Sequence, residues 1–117
     1  MEVQAITKNI RMSAQKMREV VRQIQGLPAA RAQALLAVVP RKGARVVAKT
    51  LASALANAED LKAHKDDFAS LKTDTLRIKT AVAGTASTLK RFTPKARGSA
   101  GPILKRNCHV KIVLSDE

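Results

Sequence analysis

Apolar side chains recur at helical spacing through the first half of this chain and at strand spacing near its end. Residues 2–8 (EVQAITK) predict a short strand. Ser13 then offers a helix N-cap, and Met17, Val20, Val21 and Ile24 follow at i, i+3, i+4 and i+7, the spacing of one buried helical face, closed by Gly26 as a C-terminal cap. The opposite face carries Arg11, Lys16, Arg18 and Arg22 against a single Glu19. Pro28 stands at a natural first helical position, and Ala32, Leu35, Leu36 and Val39 predict a second helix ending near Val39. Pro40 begins a third and longest helix in this reading, with Ala44, Val47, Ala48, Leu51, Leu55 and Ala58 as its buried stripe and Lys42, Arg45 and Lys49 on another face. Neither Leu27 nor Val39 has a side chain that caps a helix, so burial must hold these two helices in place.

Residues 61–70 (LKAHKDDFAS), a patch where two aspartates balance two lysines, read as a loop. From Leu76 the period changes to two. Leu76, Ile78 and Val82 are expected to face the core, with Arg77, Lys79 and Ala81 facing out. Cys108, Val110, Ile112 and Leu114 alternate in the same way with His109, Lys111 and Val113, which predicts an antiparallel partner strand. The connection between these strands, Gly84 to Pro102, is 19 residues long, where hairpin loops usually take about 2–5. Loops of such length are either functional or disordered.

Charge changes how that connection is read. The chain of 117 residues has 22 Lys and Arg against nine acidic residues, a net charge of +13. That exceeds what solubility requires and costs self-repulsion, which a polyanionic partner relieves. Between Asp74 and Asp116 there is no carboxylate, but there are nine basic residues. Within the connection and its flanks, Lys90, Arg91, Lys95, Arg97, Lys105 and Arg106 can hold phosphate, Arg as a planar fork and Lys as a mobile charge. Pro94, Gly98 and Gly101 would shape the tip, the glycines removing side chains where another backbone approaches. Phe92 is the one aromatic available to stack on a base. An extended arm from Leu76 to Lys95 would reach about 60 Å, against a compact radius of about 13 Å for this length.

Other chemistry is sparse. One cysteine excludes an internal disulfide and a thiolate metal cluster. Cys108 shares its strand face with Val110 and Ile112 and reads as a small buried hydrophobe. His109 points the other way, beside Lys111, as an RNA-facing donor; with only His64 besides it, no metal site is expected. There is no Gly-rich phosphate loop, no paired carboxylate cleft and no Ser/His/Asp set, so neither catalysis nor a cofactor is expected. The segment MEVQAITKNI lacks a signal-peptide core, and no apolar run approaches the ~20 residues of a membrane span. A cytoplasmic protein with no membrane insertion is expected. On the globular part, Arg11, Lys16, Arg18, Lys42 and Arg45 are candidates for further RNA contact. An architectural β-ribbon or helix-turn-helix DNA-binding protein is the alternative, although VVPR (38–41) makes a poor turn and the charge concentrates in the arm.

The segment KRFTPKARGSAGPILKRNCHVKIVLSDE (90–117) closely resembles the C-terminal hairpin of the bacterial large-ribosomal-subunit protein twenty-two family. That family shows K-R-x-x-P-R-A-x-G-R-A, then I-x-K-R, then a histidine leading into the last strand. Lys90, Arg91, Pro94, Ala96, Gly98, Ala100, Ile103, Lys105, Arg106 and His109 match it; Lys95 and Ser99 stand where the family usually has arginine. Residues 11–26 and 40–59 resemble its first and long helices, with Ala14–Gln15 in place of a usual Pro-Arg, and Asn107–Cys108 replaces a usual Thr-Ser. The resemblance implies an α+β fold, three helices packed on a small antiparallel sheet with a long extended basic β-hairpin. It implies a single domain over 1–117, with the hairpin at about 76–114 and its tip at about 86–101. It also implies a structural role in the large ribosomal subunit, with ribosomal RNA, neighbouring ribosomal proteins and the nascent peptide as partners. The hairpin would line the exit tunnel, and the protein would act early in subunit assembly.

Overall fold

Helix α1 (Ala14–Ile24) begins where Ser13, in extended conformation, accepts a hydrogen bond from the Lys16 N–H on its Oγ at 3.4 Å. It ends at Gly26, whose φ of +82° takes the chain out of the helix at little steric cost. The computed structural model describes residues 2–116; residues 1 and 117, the ends of the expected 1–117 domain, lie outside the described residues. Strand β1 (Glu2–Ile10) precedes α1, and α2 (Ala29–Val38) and α3 (Lys42–His64) follow it. Then come β2 (Arg77–Thr85), β3 (Leu89–Pro94), β4 (Ala100–Lys105) and β5 (Cys108–Ser115). The fold is α+β. Helices α1 and α3 cover one face of an antiparallel sheet ordered β1–β5–β2, α2 packs against α3, and β3 and β4 form a separate two-stranded ribbon.

The core lies between the inner sheet face and the helices. Cys108, Val110, Ile112 and Leu114 of β5 are all fully buried there, beside Val3 and Ala5 of β1 and Ile78 of β2. Met17, Val20, Val21 and Ile24 of α1 meet them from one side, and Ala44, Val47, Leu51, Ala54 and Ala58 of α3 from the other. Small residues along α3 let its axis approach the sheet closely. One buried polar pair crosses this layer: Thr50 Oγ1 donates to the Val46 carbonyl at 2.9 Å, so the Thr7 hydroxyl supplies the proton in the 2.7 Å contact between the two threonines.

Four local readings from the sequence change. Val82 was expected inside and Ala81 outside, but the pairing steps from Ile78↔Leu114 to Thr80↔Val113, leaving Lys79 as an extra residue in a β-bulge. Beyond it every side chain changes face, so Ala81 and Ala83 are buried and Val82 is 45% exposed. The helix expected from Pro40 starts at Lys42, because Arg41 is extended and its guanidinium reaches Glu19 Oε2 of α1 at 2.8 Å. Pro28 similarly sits just before α2 rather than inside it. Residues 61–64, expected in a loop, continue α3 because Leu61 packs against the core; short 3₁₀ turns follow at Asp66–Phe68 and Thr73–Thr75.

The 19-residue connection is not structureless. Its ribbon carries the chain away from the domain, giving extents of 67 × 28 × 16 Å and a radius of gyration of 17.8 Å, against about 13 Å for a compact chain of this length.

Candidate nucleic-acid interface

The arm is built as a ribbon with neither face covered. Its register pairs Leu89↔Lys105, Arg91↔Ile103 and Phe92↔Pro102, so residues two apart share a face. One face presents Leu89, Arg91, Ile103 and Lys105; the other presents Lys90, Phe92, Pro102 and Leu104. Each face therefore mixes cations with apolar side chains. Phe92 is 73% exposed, and Leu89, Ile103 and Leu104 are exposed as well. Such a surface is unfavourable in water and suits a partner that offers both phosphates and flat apolar surface. Lys90, Arg91, Lys95, Arg97, Lys105 and Arg106 are all exposed, and no carboxylate pairs with them among the described residues.

The tip is a tight turn. The Lys95 N–H donates to the Ser99 carbonyl at 2.6 Å, and the Ser99 N–H donates to the Ala96 carbonyl at 3.3 Å. Within it Arg97 adopts φ of 61° and Gly98 φ of 73°; glycine takes this left-handed conformation freely, whereas the arginine bears a steric cost. Gly101 was expected to admit a foreign backbone. Its space is instead taken by the chain itself: a Cβ there would stand 2.5 Å from Lys95 Cε. Lys95 thus lays its stem across the ribbon.

The arm meets the domain at a break in the sheet. The β2–β5 ladder ends at Thr85↔Cys108 and the ribbon resumes at Leu89↔Lys105. Asn107 spans the gap, its carbonyl accepting from the Ala86 N–H at 3.1 Å and its Nδ2 donating to the Ser87 carbonyl at 3.0 Å. Just inside the break, His109 lies on the outer sheet face. Its Nδ1 accepts from the Asn9 N–H at 3.0 Å, which leaves Nε2 as the donor of the neutral ring. Asn9 sits at φ of 57°, where β1 loses register with β5. The sequence reading missed this partner, although asparagine is among the few residues that tolerate that conformation. Cys108, next to it, is buried in the core, and burial pushes its thiol pKa up.

The five globular candidates separate into two places. Gly43, in the first turn of α3, lies against Met12 and Met17, so the start of α3, with Lys42 and Arg45, meets the start of α1, with Arg11 and Lys16. All four are exposed, and neither helix has an acidic residue in its first turn. Arg18 points elsewhere, its Nε donating to the Ala83 carbonyl of β2 at 3.2 Å. Among the described residues no group of His, Cys, Asp and Glu could hold a metal ion, and no helix is long and apolar enough to cross a membrane.

Residues 5–115 match the family model described as ribosomal protein L22p/L17e. The chain is 49% identical over 116 residues to the large ribosomal subunit protein uL22 of Opitutus terrae, covering 99% of this chain and 96% of the relative. It is 44% identical over 117 residues to the uL22 proteins of Akkermansia muciniphila and Chloroflexus aggregans, covering all of this chain and 98% and 97% of theirs. With both the family model and full-length relatives in agreement, the chain belongs to the ribosomal protein L22p/L17e family.

Proposed function

We propose that this chain is a structural, non-catalytic constituent of the large ribosomal subunit in the cytoplasm, and that its arm binds large-subunit ribosomal RNA and lines the nascent-peptide tunnel. The observation that carries this reading is the arm itself: a ribbon outside the domain, with an exposed Phe92, no core of its own, and six cations that no carboxylate pairs among the described residues. RNA on both faces would cover the apolar side chains and neutralise the charge. Lys90, Arg91, Lys95, Arg97, Lys105 and Arg106 would hold phosphates, and His109 would donate from Nε2. Pro94, Gly98 and Gly101 shape the tip that would face the nascent peptide. Arg11 and Lys16 would form a second, globular RNA contact, to which Arg18 adds only what its bond to Ala83 leaves free, while the candidates Lys42 and Arg45 line a groove of their own. An arm that reaches beyond the domain would bridge RNA segments early in assembly, beside neighbouring ribosomal proteins.

The test is to wash purified large subunits at rising salt and crosslink the arm to RNA. The chain should sediment with the subunit at low salt and leave only at high salt, and residues 90–97 should crosslink to ribosomal RNA. Recovery wholly in the ribosome-free fraction at low salt would refute this function.

A further inference from the structure

A groove of about 570 Å³ runs between the end of α2 and the start of α3, lined by no residue of the arm. Val39, Pro40 and Ala48 form its partly exposed apolar floor over the buried Leu36 and Ala44, and Arg41, Lys42 and Arg45 also line it. Arg41 is occupied by Glu19 at 2.8 Å. Lys42 and Arg45 are exposed and have no carboxylate partner among the described residues.

This combination discriminates between ligands. A phosphodiester backbone would satisfy Lys42 and Arg45 but leave the floor wet. A neutral apolar segment would cover the floor and leave both cations uncompensated. An extended peptide with an apolar side chain flanked by carboxylates meets both demands, through apolar burial at the centre and charge-assisted hydrogen bonds at the rim. We infer that this groove docks an extended acidic-apolar segment of a partner protein, with its apolar side chain on Val39, Pro40 and Ala48 and its carboxylates on Lys42 and Arg45. The site is separate from the arm and does not depend on the RNA reading.

The experiment is an amide-resolved NMR titration of the full chain with the peptide Ac-Glu-Leu-Glu-Ile-Glu-NH2, with its glutamine counterpart and with hexauridylate. The acidic peptide should shift amides of residues 36–48, and the pair Lys42→Glu and Arg45→Glu should weaken it by about tenfold or more while the core resonances stay in place. The glutamine peptide should bind correspondingly more weakly. Equal binding of the glutamine peptide, equal shifts of the groove by hexauridylate, or no shift at about millimolar peptide, the weak end of the affinity scale, would each overturn the assignment. Shifts by hexauridylate confined to the arm would leave the function proposed above standing whatever the groove does.

Discussion

Replacing Lys90 and Lys105 by glutamine tests whether RNA lies against both faces of the arm. The two lysines stand on opposite faces, both exposed and both without a carboxylate partner among the described residues. Each phosphate neutralised on single-stranded RNA adds about 0.7 to the slope of log affinity against log salt. Six arm cations therefore give a slope of about −4, a loss of about 300-fold between 50 and 200 mM salt. With two cations removed the slope falls to about −3 and the loss to about 50-fold. The assay is filter retention of transcribed large-subunit ribosomal RNA across that salt range, with Lys62→Gln on the exposed end of α3 as the comparison. Because the exchanged side chains are exposed, domain stability should move by no more than about 0.5 kcal/mol, which thermal unfolding checks. An unchanged slope in the double variant, or an equal change in Lys62→Gln, would refute the reasoning.

Three further outcomes are expected. Ile78→Ala, at a fully buried site before the bulge, should cost about 2–5 kcal/mol, whereas Val82→Ala beyond it should cost about 0.5 kcal/mol or less; urea denaturation of the two variants compares them, and equal costs would contradict the bulge register. Because burial raises the Cys108 thiol pKa in the folded chain, thiolate forms first in the unfolded state; stability should be unaffected below an unfolded thiol pKa of about 8.5 and fall as pH climbs from there toward the folded value. Denaturation midpoints from neutral to alkaline pH should show that decline, and Cys108→Ala should flatten it. Glu2 is hydrogen-bonded to Lys79 and lies in the field of its charge, which holds its carboxyl below the usual range; its small contribution is present above the unfolded carboxyl pKa and lost as pH falls through the folded one. An NMR titration of Glu2 should move to higher pH in Lys79→Gln.

The parts of the fold visible in the sequence were those with one buried face and one wet face. Ser13 to Gly26 reads as α1 because cap, stripe and terminating glycine all agree, and β5 reads as a strand because Cys108 to Leu114 alternate cleanly. Lys79 hid the bulge, since inserting one residue among Ile78, Thr80, Ala81 and Val82 leaves the composition of a plausible strand while exchanging its faces. Residues 89–105 gave no period-two signal because a ribbon wet on both sides has no inner face to pattern. The arm's cations were legible from charge alone. The stem of Lys95 across Gly101, the Asn9 partner of His109 and the turn of Arg18 toward Ala83 were not, because each joins residues whose meeting is decided by tertiary placement.

The break at residues 86–88 and 106–107 also bears on how this protein can change over generations. Residues unfold together where burial couples them, and that coupling runs through the β1–β5–β2 sheet and the helices. The ribbon shares none of it, joined to the domain through the break that Asn107 spans. Substitutions in the arm therefore leave the domain's narrow stability margin almost untouched. Selection can refit the arm to its partner, residue by residue, without destabilising the fold that carries it.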